Sequence, residues 1–255
     1  MASVWMCVAL IISDLEHFAL KTEIASTNIL PYLCIRNYIY LEIEKLLKEM
    51  YMNDIIMKPL DKKDFNLARK FAIDGMHLSR YATTKIELYF YSKYFWYSEI
   101  SKATKAFAAY MNGTLVGVLL ANMKNEPKVF KSWWYKLWVK FASYIVNSFY
   151  SDASNIYERA NKEMLDNFKK ENTPDGEINF FAVNPNIKGK GIGTLLLNEL
   201  ERQEKGKFIY LYTDSGSTYQ FYLHRGFTKE AEKDIEMEID KKTVPLTCFL
   251  FSKTL

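Results

Sequence analysis

The stretch Phe180–Leu197 reads FFAVNPNIKGKGIGTLLL and joins the end of a predicted strand to the start of a predicted helix. The apolar run stops at Pro185, a residue that cannot donate a hydrogen bond to a neighbouring strand. Three glycines follow at alternate positions, Gly189, Gly191 and Gly193. Because glycine has no Cβ atom, successive backbone N–H groups can converge here, and a helix N-terminus adds further free N–H groups. The pattern therefore predicts a turn that binds a pyrophosphate.

Two common phosphate-binding motifs do not fit this turn. The Walker motif requires Lys followed by Ser or Thr after its last glycine, whereas Gly193 is followed directly by Thr194. The dinucleotide fingerprint requires a third glycine at the position that Thr194 occupies. The phrase V-x-P-x-x-R-G-x-G-I-G does fit, with matches at Val183, Pro185, Gly189, Gly191, Ile192 and Gly193. Through this phrase the chain resembles the GNAT superfamily of N-acetyltransferases.

A second family signature, Tyr-x-x-x-Gly-Phe, occurs at Tyr222, Gly226 and Phe227. One predicted helix and one predicted strand separate it from the first signature, as in the family. Two departures put details of the likeness in doubt. Lys188 replaces the usual arginine or glutamine, so the charge is kept while the planar guanidinium fork is lost. Residues 124–176 replace a connection that is usually short, so the substrates of relatives are a poor guide here.

The fold that the resemblance implies is an α/β fold of GNAT type, interrupted by a helical insertion at residues 124–176. We expect six or seven mostly antiparallel strands in one mixed sheet, flanked by helices. The order strand, turn, helix, strand after Glu177 independently predicts neighbouring parallel strands covered by helices. Asn112-Gly113, between two β-prone runs, predicts a tight hairpin.

The predicted domain comprises residues 53–255, and residues 1–52 are less coherent. They form either an N-terminal helical extension or a translated leader before a natural start at Met52. The leader hypothesis rests on Lys48-Glu49, whose codons can form a purine-rich ribosome-binding sequence shortly before Met52. Both interpretations stay open.

Apolar spacing predicts helices at Asp61–Arg80 and Thr83–Lys102, and an amphipathic one at Lys128–Tyr150. The last of these either packs on the domain and walls the acceptor pocket, forms a dimer interface, or lies on a membrane surface. Packing on the domain, as a wall of the acceptor pocket, is the favoured interpretation. Short strands are predicted at Glu236–Ile239 and Thr247–Phe251.

The resemblance assigns cofactor contacts to two segments. The strand residues Phe181, Ala182 and Val183 would hydrogen-bond the pantetheine arm of acetyl-CoA, and a backbone N–H would face the thioester oxygen. The pyrophosphate would be bound by the turn and the helix start, namely Lys188, Gly189, Lys190, Gly191, Ile192, Gly193 and Thr194.

Two residues are candidate catalysts. Tyr222 is the candidate general acid, because a phenol is protonated at neutral pH and can pass a proton to the departing thiolate. Glu177 is the candidate base, since the histone-acetylating branch of the family places its glutamate six residues before the valine matched by Val183. The alternatives are a core tyrosine and a solvated glutamate at a strand start.

Composition limits the class of protein. With 34 basic and 30 acidic residues, the net charge of +4 does not indicate nucleic-acid binding. Three widely spaced cysteines favour a reducing cytoplasm over a disulfide framework or a zinc site. No apolar run reaches the length of about 18 residues that a membrane span needs. We expect a cytoplasmic enzyme that uses acetyl-CoA as cosubstrate without a metal, and homodimer formation is left open.

The predicted function is transfer of an acetyl group from acetyl-CoA to a primary amine, by direct attack on the thioester. The acceptor is a small molecule or a peptide that the sequence does not identify. The alternative is a non-catalytic acyl-CoA-binding module that acts as a sensor or interaction surface.

Overall fold

The computed structural model describes residues 55–76, 78–81, 84–149, 153–187, 189–239 and 242–255, together with Leu41. The chain divides into two units, Met1–Asn53 and Asp54–Leu255. All elements named below belong to the second unit. The two interpretations of residues 1–52 lie outside the described residues and stay predictions.

The second unit contains a seven-stranded sheet with helices on both faces. Its strands are β1 (Ile55–Lys58), β2 (Lys105–Met111), β3 (Thr114–Met123), β4 (Gly176–Val183), β5 (Phe208–Asp214), β6 (Thr228–Ile239) and β7 (Lys242–Thr254). Its helices are α1 (Phe65–Gly75), α2 (Lys85–Lys102), α3 (Trp133–Phe149), α4 (Ala153–Glu171), α5 (Ile192–Gln203) and α6 (Gln220–His224). Short 3-10 helices cover Lys62–Asp64 and Leu78–Tyr81. The predicted fold class is confirmed.

The strand order is β1-β2-β3-β4-β5-β7-β6, and every neighbouring pair is antiparallel except β4 and β5. The predicted hairpin joins β2 to β3 through Asn112 and Gly113, which have φ values of 50° and 76°. The parallel pairing of β4 with β5 covers only Gly176–Ile178 against Ile209–Leu211. Beyond it, β4 continues along β3 and β5 continues along β7, so the two strands separate.

Helices cover the sheet in a pattern that frames this separation. On one face, α1 and α2 pack through Phe71, Trp96 and Ile100 over the β2–β4 side, and α4 packs through Phe168 over β5 and β7. On the opposite face, α5 contributes its buried leucines, Leu196, Leu197 and Leu200. The separating ends of β4 and β5 are therefore flanked by α2 and α4 on one face and by α5 on the other.

Four predicted elements, two helices and two strands, had wrong boundaries. The helix expected at Asp61–Arg80 is broken, because its α-helical part ends at Gly75, a residue with poor helical preference. The helix expected from Lys128 begins at Trp133. The last two strands extend well beyond the predicted segments, to Thr228–Ile239 and Lys242–Thr254.

The underestimate of these strands has a physical cause. The first half of β6, at the edge of the sheet, consists mainly of charged side chains, which hides the usual apolar strand pattern. Pro245 in β7 lies beyond Cys248, where the pairing of β7 with β5 has ended, so it breaks no hydrogen bond to β5. Among the described residues, no helix is both long and apolar enough to cross a membrane.

Candidate active site

The main chain at the end of β4 is open toward β5. A bulge at Asn179 precedes this segment, and the Asn184 N–H donates to the Val116 carbonyl of the neighbouring strand over 2.8 Å. Because antiparallel strands alternate the direction of their main-chain groups, those of Phe181 and Val183 point away from β3. On that side β5 has already turned away. A linear ligand can therefore hydrogen-bond here as an added strand would.

The three predicted strand contacts are thus not equivalent. Ala182 directs its main-chain groups to β3, opposite Val118. Its side chain lies in the core that α1 and α2 cover. Phe181 and Val183 are the two residues of this segment whose main-chain groups face the opening.

The glycine turn leads from β4 into α5. Gly189 and Gly191 have φ values of 72° and 65°, in the left-handed region that favours glycine, and Gly191 is the N-cap of α5. The Leu195 N–H donates to the Gly191 carbonyl, which is the first hydrogen bond of the helix. The earlier N–H groups of Ile192, Gly193 and Thr194 therefore precede the helical ladder and suit an anion. Lys188 lies outside the described residues, and Lys190 is half-buried at the turn.

Close packing on β3 fixes the start of α5. A Cβ atom added to Gly117 would lie 2.8 Å from Ile192 Cγ2 and 2.9 Å from Leu196 Cδ1. Sequence reasoning missed this role of Gly117, although a glycine inside an apolar strand run signals a close approach of another element. Only glycine at this position lets the N-terminus of α5 lie this close to the sheet.

Tyr222 lies on the α5 face of the sheet. Its ring contacts Phe181, Phe227 and Phe251, with centroid separations of 6.2, 5.6 and 6.1 Å. Burial raises the pKa of the Tyr222 hydroxyl, so this phenol stays protonated. Within the described part of the chain, the hydroxyl makes no hydrogen bond and can donate one to a ligand.

Glu177 lies on the opposite face of the sheet from Tyr222, in the short segment where β4 pairs with β5. Its carboxylate accepts a hydrogen bond from the Tyr210 hydroxyl over 3.2 Å. Burial raises the pKa of Glu177, the charge of Glu99 raises it further, and Lys102, the Tyr210 hydrogen bond and Lys169 oppose the shift. The side chain is not a freely solvated one at a strand start.

A buried group beside Glu177 was not foreseen. Glu99 of α2 is 9% exposed and accepts hydrogen bonds from Lys102 Nζ and Asn179 Nδ2, both over 2.8 Å. The Glu99 backbone carbonyl also accepts from Asn179 Nδ2, over 3.0 Å. The available signal was an acidic residue within an aromatic helix and an amide within an apolar strand.

The first helix of the insertion packs on α2, as expected for the favoured interpretation. Trp138 stacks on Phe90 with a centroid separation of 6.3 Å, and Tyr135 stacks on Tyr97 at 5.2 Å. Lys93 lies 4.4 Å from the Trp138 ring centroid. A role of this helix in walling the acceptor pocket stays a prediction.

Comparison with known proteins agrees with this geometry. Residues 155–229 match the family model for the acetyltransferase (GNAT) domain. This segment includes Glu177, the glycine turn and Tyr222. A search of curated protein sequences gives no significant match.

Several solved structures are also similar. The chain is 16% identical to a histone acetyltransferase HPA2 and related acetyltransferase from Corynebacterium glutamicum, with 77% of this chain and 95% of that chain covered and a TM-score of 0.48. It is 15% identical to Arabidopsis thaliana NAA60 in complex with a bisubstrate analogue, with 78% and 97% covered and a TM-score of 0.45. It is 16% identical to ribosomal-protein-alanine N-acetyltransferase from Brucella melitensis, with 78% of this chain and 99% of that chain covered and a TM-score of 0.43. All three TM-scores lie below 0.5.

The family match covers the strand, turn and helix that build the site, and the mixed sheet has the corresponding architecture. Residues 155–229 are therefore similar to the acetyltransferase domain of the GNAT superfamily, and this match supports an acyltransferase.

Proposed function

We propose that the protein transfers the acetyl group of acetyl-CoA to a primary amine, by direct attack of the amine on the thioester. The observation that carries this proposal is the separation of β4 from β5 directly before a left-handed glycine turn. The open strand edge suits the pantetheine amides, and the turn suits the pyrophosphate.

The residues at the turn are compatible with a bound diphosphate. A Cβ atom added to Gly189 would meet no atom within 4 Å, so there is open space on that side of the backbone. Gly189, Lys190 and the N–H groups of Ile192, Gly193 and Thr194 would hold the phosphates. Lys188 would add a second ammonium group.

The strand edge supplies the remaining contacts with acetyl-CoA. The main-chain groups of Phe181 and Val183 would bind the pantetheine arm. An N–H group there would stabilise the negative charge that develops on the thioester oxygen.

The chemical step needs one base and one proton donor. The amine nitrogen attacks the thioester carbon, the C–S bond breaks, and the ammonium proton passes to Glu177 directly or through water. Tyr222 donates to the departing sulfur. Because burial raises its pKa, Tyr222 suits stabilisation of the thiolate by a hydrogen bond better than early proton transfer.

The test is a CoA-release assay with a panel of amines: tyramine, spermidine, kanamycin, lysine and a peptide with a free N-terminus. We expect at least one amine to release CoA in proportion to its concentration. In Tyr222→Phe, kcat should fall about 10²-fold, since a positioned proton donor contributes that much, while the acetyl-CoA Kd stays unchanged.

The alternative, a non-catalytic acyl-CoA-binding module, makes the opposite prediction. It expects saturable binding of acetyl-CoA in calorimetry, no acetylated product with any amine, and no effect of Tyr222→Phe. That combined result would exclude the proposed transferase activity. Absence of acetyl-CoA binding would exclude both functions.

A further inference from the structure

The side-chain amide of Asn179 has only one chemically allowed orientation. Both atoms that face one end of it, the Glu99 backbone carbonyl and the Glu99 carboxylate, can only accept hydrogen bonds. The donating Nδ2 must therefore face Glu99, and an exchange of the amide oxygen and nitrogen would set oxygen against oxygen. The Asn179 Oδ1 atom consequently points away from Glu99.

This Oδ1 atom is buried, and no hydrogen-bond partner for it is found among the described residues. A buried acceptor that lacks a partner costs about 1–3 kcal/mol of folding free energy, so such atoms call for an explanation. Here Glu99 imposes the orientation with two hydrogen bonds, so the oxygen cannot gain a partner by an exchange of the amide atoms.

The position of the acceptor atom gives it a use. Asn179 is the bulge residue of β4, at the point where β4 leaves β5. Glu177 lies two residues before it on the same strand, at the last position but one that pairs with β5. The acceptor oxygen and the candidate base thus belong to one short segment of β4, next to the strand edge proposed for the thioester.

The surroundings favour a cation with an apolar body. Lys102 compensates Glu99, with the Lys102 Nζ to Glu99 Oε1 distance at 2.8 Å. The other acidic groups that influence this region are Glu158, which acts on Tyr94, and Asp166, which acts on Tyr212. Aromatic rings belong to the neighbouring positions: Phe95 of α2 packs on Phe180, the next residue of β4, with a centroid separation of 6.1 Å, and Tyr210 packs on Tyr212 of β5 at 5.6 Å.

We propose that Asn179 Oδ1 and the Glu177 carboxylate together bind the ammonium group of the acceptor, and that Asn179 selects cationic primary amines on an apolar or aromatic carbon chain. Glu99 is a positioning residue that holds the amide. This inference rests on the proposed function and specifies the acceptor side of the same site.

The proton balance is compatible with this arrangement. An ammonium group brings three N–H donors, one to Glu177 and one to Asn179. Glu177 takes one proton from the ammonium group and releases it to solvent, while the neutral amine keeps its hydrogen bond to Asn179 and its free electron pair attacks the thioester carbon. As the C–S bond breaks, the second proton of the nitrogen passes to Glu177, and CoA leaves as a thiolate that accepts a hydrogen bond from Tyr222. A hydroxyl acceptor has a single donor and no charge, so it satisfies only one of the two oxygens.

The first measurement is calorimetric binding of tyramine to the complex of the protein with CoA, which requires no turnover. Tyrosol, in which a hydroxyl replaces the ammonium group, is the matched neutral probe. We expect the wild-type protein to bind tyramine in preference to tyrosol. In Asn179→Leu, which has similar volume and no acceptor, the tyramine Kd should rise about 10–100-fold, as expected for a hydrogen bond to a charged group. The tyrosol and acetyl-CoA affinities should change little.

Two further variants separate recognition from folding. Glu99→Gln introduces an amide that can donate to Asn179 Oδ1, so the preference for tyramine over tyrosol should fall without loss of acetyl-CoA binding. Asn66→Leu, at an exposed position of α1, is the control and should change neither affinity. If Asn179→Leu fails to fold, Asn179→Ser gives the same measurement with a smaller side chain.

Each outcome decides the matter. An unchanged tyramine Kd in the folded Asn179 variant, or equal affinity of the wild type for tyramine and tyrosol, overturns the inference. So does failure of every amine of the panel to bind the CoA complex. Binding of tyramine that depends on Asn179, without any acetylated product, supports this ammonium site while the transferase proposal fails.

Discussion

The Tyr210 hydroxyl donates a hydrogen bond to the Glu177 carboxylate over 3.2 Å, between residues that are direct partners in the short parallel pairing of β4 and β5. The candidate base is therefore anchored at the last place where the two strands are joined. Its environment is unfavourable to charge, since burial raises the pKa of Glu177 and the nearby Glu99 carboxylate raises it further.

The pH dependence of catalysis follows from this anchor. Glu177 can act as a base only when it is ionised, so kcat/KM should rise with pH through a pKa above the usual value for glutamate. Glu177→Gln should lose this rise and lower kcat about 10²–10⁴-fold, the range typical of general base catalysis. Steady-state rates across the pH range measure both effects.

Tyr210→Phe tests whether the pKa of Glu177 sets the pH at which kcat/KM rises. The Tyr210 hydrogen bond lowers the pKa of Glu177, so its removal should move the rise to higher pH. A shift to lower pH, or identical profiles for wild type and Glu177→Gln, would contradict the assignment of Glu177.

The same pKa predicts an effect on stability. The carboxyl group is harder to ionise in the folded protein than in the unfolded chain, so its ionisation weakens the fold as pH rises above the unfolded pKa. Glu177→Gln should therefore be more stable than wild type at neutral pH, and this difference should vanish at low pH. Denaturant unfolding at two pH values checks the sign.

Gly189 and Gly113 form a matched pair for the phosphate turn. Both have positive φ, 72° and 76°, and in neither case would an added Cβ atom meet another atom within 4 Å. Alanine at either position should cost about 1–2 kcal/mol of stability, the usual penalty of the left-handed conformation. Only Gly189→Ala should weaken acetyl-CoA binding in calorimetry. Equal acetyl-CoA affinities of the two variants would argue against this turn as the phosphate site.

Gly117→Ala tests whether packing of α5 positions that turn. The new methyl group would lie 2.8 Å from Ile192 Cγ2, so the first turn of α5 must shift. We expect a loss of about 1–3 kcal/mol in stability, typical of overpacking, together with a higher acetyl-CoA Kd. Destabilisation by Gly117→Ala with unchanged acetyl-CoA affinity would separate the helix position from binding.

The α3 helix offers a contrast between two tryptophans. Trp138 stacks on Phe90 of α2, whereas Trp133 is 65% exposed. Trp138→Ala should lower the free energy of unfolding by about 3 kcal/mol, at the low end for loss of a packed aromatic side chain. Trp133→Ala should change it by less than about 0.5 kcal/mol, as is usual for surface sites. Equal effects on chemical denaturation would contradict the packing of α3 on α2.

The sequence alone determined the parts of this protein whose signals are local. The alternating glycines after Pro185 predict a turn between strand and helix, and the structure has that turn, with positive φ at Gly189 and Gly191. Asn112-Gly113 predicts the hairpin for the same reason, because few residues tolerate this backbone conformation. Apolar periodicity predicted most of the helices and strands in their order, and the resemblance to the GNAT superfamily implied the mixed sheet.

Only the tertiary structure decided what depends on contacts between distant segments. The Glu99–Asn179 hydrogen bonds join residues that are 80 positions apart, and neither residue type signals its partner. The close approach of Gly117 to Ile192, and the length of β6 and β7, likewise depend on pairing across the sheet. Local patterns record backbone preferences and burial. They do not record which buried polar group meets which, because that follows from the packing of α2 against β4.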